Sequence, residues 1–268
     1  MLKDITLGQY FPGNSVIHRL DPRAKLIVLV AYIVALFLAV SWVSYALMVV
    51  FLLACIRIST IPAKSFIRGM KPLMMILVFT GVLNLFFTTD GEVLGDFWFI
   101  TITSGGLQRA VFMVIRILLL ICGTFLLTYT TSPISLTDGL EALMNPLTKI
   151  KVPVHELSMM MCIALRFIPT LIEETDKIMS AQKARGADFE SGTLMEKAKA
   201  LIPILVPLFI SAFRRADELA TAMECRCYQG GEGRTKMKLL RYTLWDFEAF
   251  GVAAVVLAAV CVLRTFGL

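Results

Sequence analysis

The chain has 268 residues, of which 57% are hydrophobic and 17% are charged, and its mean hydropathy is +0.77. Soluble globular domains carry about half apolar and about a quarter charged residues, so this composition excludes an ordinary soluble protein. The formal net charge of +6 reflects lysines and arginines gathered on one side of a membrane, and it therefore does not indicate a nucleic-acid partner. We expect a multi-pass protein whose main surroundings are the lipid bilayer.

Five apolar segments predict transmembrane helices, because each approaches the roughly 20 residues that cross a bilayer. They lie at about residues 26–40, 42–56, 73–87, 107–130 and 244–263. The first two are short and need flanking residues to span a hydrocarbon core of about 30 Å. Asp21 is expected to cap the first helix, with Pro22 at the first helical position.

Lysine and arginine predict the orientation, since short loops rich in them stay in the cytoplasm. Basic residues precede the first segment and follow the second, whereas the Ser41 corner and residues 88–106 carry none. Residues 131–241 contain fifteen. We predict a protein of the plasma membrane with a cytoplasmic N-terminus. Its domains would be a membrane domain at 1–130, a cytoplasmic helical domain at 131–241 and a last span at 242–268.

The cytoplasmic region predicts three helices from apolar residues at helical spacing. The first covers about residues 136–150. The second runs from Val154 to Arg185, and Pro169 is expected to kink it. The third repeats the pattern of the second and ends at Arg226. The predicted fold class is therefore an all-α membrane protein with about five transmembrane helices and a cytoplasmic insertion containing two long helices.

Both long helices end on an arginine held between small residues. These stretches are Ala184-Arg185-Gly186 and Cys225-Arg226-Cys227. One interpretation is a helix C-cap, with a cation at the negative end of the helix dipole and glycine supplying a left-handed stop. The other is a guanidinium that enters a groove on another protein and makes forked hydrogen bonds there. Finding two matched stretches favours the second interpretation.

Arg116 lies within the fourth apolar segment, and an ionisable residue inside a membrane is a functional candidate by default. A structural hydrogen bond to Asn84 or to backbone carbonyls is the alternative. The long helices also carry apolar residues that either pack in a core or form an adaptable docking surface. The docking candidates are Met159, Met160, Met161, Leu165, Leu205 and Phe209.

The sequence lacks the motifs of a nucleotide-binding or metal-dependent enzyme. The stretch "QGGEGRTK" fails as a P-loop, because Tyr228 stands where the first glycine is needed and Arg234 replaces the lysine. Asp138 and Glu141 have no further acidic residue at helical spacing to form a catalytic cluster. We expect no catalytic residue, cofactor or metal in this chain, so any ATP would be bound by partner subunits. A self-contained channel or secondary transporter remains the alternative.

The run "HRLDPRAKLI" at residues 18–27, together with the two arginine stretches, resembles the T component of energy-coupling factor transporters. The resemblance covers nearly the whole chain. It implies a non-enzymatic subunit that joins two cytosolic ABC ATPases to a small membrane S component, which binds a vitamin or metal ion for import. It implies that Arg185 and Arg226 insert into the two ATPases and that the docking candidates contact the S component. The cysteines around Arg226 depart from the family's usual Ala and Gly.

Overall fold

The computed structural model describes residues 10–87, 93–97, 100–187, 189, 193–231 and 239–266. Over these residues the chain forms two compact units. The first unit takes in Gly8–Gly139 and Leu240–Leu268, and the second takes in Leu140–Leu239. The domain boundaries proposed from the sequence, at 130/131 and 241/242, remain a prediction.

Helices dominate the described residues, and the all-α class predicted from the sequence is confirmed. The helices are α1 (Val16–Arg19), α2 (Pro22–Leu38), α3 (Trp42–Ser59), α4 (Ala63–Met70), α5 (Met74–Phe87), α6 (Ser104–Thr130), α7 (Pro133–Met144), α8 (Val154–Ala184), α9 (Leu194–Cys225) and α10 (Leu244–Thr265). Two short antiparallel strands, β1 (Val93–Phe97) and β2 (Ile100–Thr103), were not predicted. The predicted helix at 136–150 stops at Met144, since Pro146 cannot continue an α-helix, and a 3₁₀ turn follows over Asn145–Ile150.

Five helical segments in the described part of the chain are long and apolar enough to cross a membrane, judged on length and composition. They are Trp42–Ser59, Ala63–Phe86, Gly105–Thr130, Val154–Ala184 and Leu244–Thr265. The number agrees with the prediction, but the set differs. Helix α2 has 17 residues, at the short end of what a bilayer requires, whereas α8 qualifies through its apolar first half. The cytoplasmic location proposed for α8 remains a prediction.

The core of the first unit forms where α2, α3, α6 and α10 meet. Leu36, Met48, Leu119 and Val260 are each almost completely buried there, one from each helix. The Tyr32 hydroxyl donates to the carbonyl of Leu119 at 3.1 Å, which satisfies a polar group in an apolar setting. Apolar packing therefore binds the first, second, fourth and last predicted spans into one bundle.

The second unit is built on α8 and α9. Helix α9 begins with a capping box, in which the Thr193 hydroxyl accepts from the N–H of Glu196 and the Glu196 carboxylate accepts from the N–H of Thr193. Pro169 lies inside α8, and Pro203 and Pro207 lie inside α9. Both helices continue through their prolines, so each is a single element of more than thirty residues.

Candidate functional site

Arg185 is the C-cap residue of α8, and the backbone around it forms a Schellman motif. The N–H of Gly186 donates to the carbonyl of Lys183 at 3.0 Å, and the N–H of Ala187 donates to the carbonyl of Gln182 at 3.0 Å. Gly186 has φ +87°, which is the left-handed conformation that this motif requires directly after the C-cap. The glycine in this stretch therefore has a backbone explanation.

Arg226 has the same place at the end of α9. The N–H of Cys227 donates to the carbonyl of Glu224 at 2.8 Å, and the N–H of Tyr228 donates to the carbonyl of Met223 at 3.1 Å. Cys227 has φ +54°, a conformation that costs a residue with a Cβ about 1–2 kcal/mol. Cys227 thus occupies the one position of the motif that demands left-handed backbone.

The two guanidinium groups are available for contact. Arg185 and Arg226 are exposed, and neither side chain has a hydrogen-bond or ion-pair partner among the described residues. The C-cap interpretation is therefore correct for the backbone. It does not account for the two guanidinium groups, which take no part in the cap. Ala184 and Cys225 are exposed helical residues, and helix geometry sets no limit on their size. Both predicted arginine stretches thus place an exposed cation at a helix end, between residues with small side chains.

Helices α8 and α9 run antiparallel along a constant register. The Glu174 carboxylate accepts from the Ser211 hydroxyl and also pairs with Nη2 of Arg215 at 3.3 Å. Nε2 of Gln182 donates to the carbonyl of Pro203 at 3.3 Å. Eight residues forward along α8 thus correspond to eight residues backward along α9. The sequence repeat had suggested two similar arms, but it did not predict their opposed directions.

This register places the two arginines at opposite ends of the helix pair. The Tyr228 hydroxyl, just beyond α9, donates to the sulfur of Met159 near the start of α8 at 3.1 Å. By the same register Arg185 is level with residue 200 of α9. The 26 residues from there to Arg226 span about 39 Å at the helical rise. The pair therefore presents two separate contact points.

Glu141 joins the end of α7 to the start of α8. Its carboxylate accepts from Nδ1 of His155 at 3.0 Å and from the Ser158 hydroxyl at 3.0 Å. A Cβ added at Gly231 would lie 2.5 Å from the His155 ring, so the chain after α9 packs closely against this imidazole. The Ser158 hydroxyl donates to the carboxylate and not to the histidine, which differs from the nucleophile–base pair of a hydrolase.

The predicted docking residues divide into exposed and partly buried groups. Met160, Met161, Leu205 and Phe209 are exposed, with Phe209 65% accessible. Met159 and Leu165 are partly buried. A larger set of exposed apolar residues surrounds the two α9 positions, and we call it the α9 apolar face. It consists of Leu201, Ile202, Leu205, Val206, Phe209, Ile210 and Phe213.

Arg116 contacts the turn between α2 and α3. Its Nε donates to the Tyr45 hydroxyl at 2.9 Å, and its Nη2 donates to the carbonyl of Ala39, the C-cap of α2, at 3.1 Å. The hypothesis of a bond to a backbone carbonyl is confirmed. The hypothesis of a bond to Asn84 is wrong, because the Asn84 amide donates within its own helix to Thr80 at 3.0 Å. The guanidinium therefore stabilises a helix end in the first unit.

The N-terminal run 18–27 has structural roles in the first unit. Asp21 caps α2 as predicted, accepting from the N–H of Arg23 at 2.9 Å. The Arg23 guanidinium pairs with Asp21 at 3.0 Å and lies 4.3 Å from the Tyr242 ring centre. The buried Lys25 ammonium donates to the carbonyl of Thr130 at 2.9 Å, at the end of α6. This run thus ties together the starts of α2 and α10 and the end of α6.

Sequence reasoning missed the part that Asp246 plays in this network. Its carboxylate is fully buried and accepts from the N–H of Asp21 at 2.8 Å. It also accepts from the N–H and the hydroxyl of Thr243, at 2.7 Å and 2.8 Å. A Thr-x-x-Asp spacing before an apolar run is a capping-box signal that could have identified the local bonds. The contact with Asp21 lies 225 residues away in sequence and carries no such signal.

Comparison with known proteins shows which family this chain belongs to. Residues 13–237 match the family described as CbiQ, cobalt transport protein, and both arginine stretches lie in the matched region. The chain belongs to this family. It is also similar to three proteins, each named energy-coupling factor transporter transmembrane protein EcfT. Together with the five long apolar helices, the family membership makes this a multi-pass membrane protein.

These relatives match along nearly their whole length. The protein from Thermosediminibacter oceani is 55% identical over 265 residues, which are 99% of each chain. The protein from Clostridium kluyveri is 55% identical and covers 98% of this chain and 97% of its own. The protein from Bacillus subtilis is 49% identical and covers 97% of each. The resemblance noted from the N-terminal run and the arginine stretches is confirmed.

Proposed function

We propose that this chain is the coupling subunit of an energy-coupling factor importer. It would transmit the ATP-driven motion of two cytosolic ABC ATPases to a membrane S component that binds a vitamin or metal ion. The observation that carries the proposal is the placement of Arg185 and Arg226. They are two exposed cations with matched backbone geometry, at opposite ends of one antiparallel helix pair. Two ATPases need two separated attachment points, and two separated cations would meet that need.

The chemistry of the contact follows from the guanidinium group. Its five N–H donors form a planar fork that matches carboxylates and clustered backbone carbonyls, and a C-cap position directs it beyond the last turn. Small residues on either side of each arginine allow a groove to close around it. Because the sequence carries no complete nucleotide-binding motif, we assign ATP binding to the partner subunits and not to this chain. The basic loops support a cytoplasmic location for both contact points.

The α9 apolar face supports a contact with the S component. Exposed apolar area of this extent on one helix is typical of an interaction surface. Phe209 and Phe213 pack with their ring centres 4.6 Å apart, and a neighbouring apolar protein surface could bury both. Met160 and Met161 would provide an adaptable surface on α8. This division gives the helix ends to the ATPases and the apolar face to the membrane partner.

The arginine proposal is tested with Arg185→Ala, Arg226→Ala and the double variant in the full complex, purified through this chain. We expect each single change to weaken ATPase retention and substrate uptake. The double change should abolish both, since a buried charge-assisted contact is worth about 2–4 kcal/mol. Lysine at either position should restore little, because it lacks the planar fork. Arg214→Ala is the matched control, an exposed arginine within α9.

The competing C-cap explanation gives a different pattern. If the arginines only complement the helix dipole, alanine costs about 0.3–1 kcal/mol at each helix end and lysine restores it fully. Hydrogen exchange of the last turns of α8 and α9 measures that local effect. Normal ATPase retention and uptake by the double variant would refute the coupling proposal. Substrate uptake into liposomes by this chain without partners would instead favour the self-contained transporter.

The proposed S-component contact requires its own variants. We expect Phe209→Glu to release the S component while leaving the two ATPases attached, because it places a charge in an apolar interface. Ala216→Glu, an exposed position in the polar half of the same helix, is the control. Loss of the ATPases together with the S component would mean that Phe209 maintains the helix pair and does not form the proposed interface.

A further inference from the structure

The first unit contains a cavity of about 500 Å³ between α1, α2, α3, α6 and α10 that the proposed coupling does not use. Its walls are mostly apolar, with Leu29, Phe51 and Leu126 among them. On α2 the lining extends from Lys25 to Tyr32, seven residues, which is about 10 Å of helix. One leaflet of hydrocarbon is about 15 Å thick, so a cavity of this length covers most of a leaflet.

A smaller cavity, with two polar residues in its lining, adjoins the apolar one. It has a volume of about 140 Å³ and is lined by Asn14, Val16, Arg19 and Trp245. Val16 and Trp245 also line the larger cavity, so the two share walls at the end where α2 and α10 begin. Together they form a site with Asn14 and Arg19 at its mouth and a mostly apolar interior, whose charged lining residues are Lys25 and Glu248. A tryptophan at such a mouth is typical of a membrane–water interface.

Arg19 is the cation at this mouth whose charge is uncommitted. It is exposed, and its side chain has no hydrogen-bond or ion-pair partner within the described residues. Lys25 lines the larger cavity, but its ammonium already donates to Thr130, to Thr131 and to the His18 carbonyl. The Arg23 guanidinium is held by Asp21. An anionic group entering the mouth would therefore be bound by Arg19.

We propose that one membrane phospholipid occupies this site, with an acyl chain in the apolar cavity and its phosphate on Arg19. Of the helices around the cavity, α3, α6 and α10 are long and apolar enough to cross the membrane, where acyl chains are the surrounding solvent. Water would find few partners along such walls, and each buried water needs two to four. An arginine fork matches phosphate oxygens in geometry and charge.

Native mass spectrometry of the full chain tests the proposal. The chain is released from nanodiscs that contain phosphatidylethanolamine, phosphatidylglycerol and a diacylglycerol with the same acyl chains. We expect one phospholipid to remain bound, in preference to the diacylglycerol. Ala249→Phe fills the cavity from α10 and should lower retention about tenfold, the effect of losing roughly two buried methylene groups. Ala254→Phe, an exposed position on the same helix, should retain the lipid.

Arg19→Gln separates the headgroup from the tail. We expect this variant to keep a bound lipid but to lose the preference for phosphate over the diacylglycerol. Arg264→Gln, at the other end of α10, is the charge control and should keep the preference. Equal retention by Ala249→Phe and Ala254→Phe would mean that the lipid is only annular, which overturns the proposal. An unchanged preference in Arg19→Gln would overturn the phosphate assignment.

Photocrosslinking of the wild-type chain gives a readout that does not depend on the folding of variants. A phosphatidylethanolamine with a diazirine on its acyl chain should label Leu126 and Leu127, which line the cavity and are partly buried. Labelling should exceed that of Met75 and Phe79, which are exposed on α5. Equal labelling of the lining and the exposed residues would contradict a held lipid.

Discussion

Replacing Asp246 with Asn is expected to destabilise the first unit by roughly 2–4 kcal/mol. The carboxylate is fully buried and accepts three hydrogen bonds, one from Asp21 and two from Thr243. An amide has one acceptor oxygen instead of two, so at least one buried donor group loses its partner, at about 1–3 kcal/mol. The remaining bonds are no longer assisted by a negative charge, which costs about 1 kcal/mol more.

Thermal unfolding of the detergent-solubilised chain, followed by intrinsic fluorescence, measures the effect. A domain of 150–250 residues loses about 2–4 °C of Tm for each kcal/mol, so Asp246→Asn should lower the midpoint by roughly 5–15 °C. Asp217→Asn makes the same chemical change at an exposed position of α9 and should leave the midpoint unchanged. Midpoints that agree between the two variants would refute the argument that the Asp246 bonds hold α10 to the start of α2.

Four further perturbations test other parts of the structure. Cys227→Gly should relieve the left-handed strain at the end of α9 and slow hydrogen exchange there about two- to fivefold, a gain of about 0.5–1 kcal/mol. Gly186→Ala should speed exchange at the end of α8 by about tenfold through backbone strain, since an added Cβ meets no neighbour within 4 Å. Arg116→Met should lower Tm by roughly 3–10 °C, because it removes the donor to Tyr45 and to a helix-end carbonyl. Glu141→Ala should loosen the start of α8, seen as faster exchange there with the end of α9 unchanged.

The sequence predicted those elements that depend on local composition. Hydropathy located α3, α5, α6 and α10 to within a few residues, because an uninterrupted apolar run can form little else in a bilayer. The cap of α2 followed from Asp21 and Pro22, whose preferences act within one turn. The end of α8 was predicted in the same way, from Arg185 followed by Gly186. The end of α9 was placed at Arg226, but the left-handed backbone of Cys227 was not predicted.

Features that depend on long-range pairing were missed. The direction of α9 relative to α8 is set by contacts such as Gln182 with Pro203, which no periodicity encodes. The link from Asp246 to Asp21 closes a loop of more than two hundred residues and has no sequence signal. Arg116 was recognised as unusual, but its partner could not be predicted. A guanidinium can donate to any nearby oxygen, and only the packing of α6 against the α2–α3 turn selects one.

The antiparallel register of α8 and α9 places each arginine beside the other helix's apolar half. Arg226 lies at the end of the pair that carries Met160 and Met161, whereas Arg185 is level with the beginning of the α9 apolar face. The connection is therefore crossed. A displacement applied at the arginine end of one helix first reaches the apolar surface of the other helix. If the proposed function is correct, movement of one helix end alone would tilt one apolar surface and leave the other in place. An S component in contact with both surfaces would then respond to the relative timing of the two ATPases.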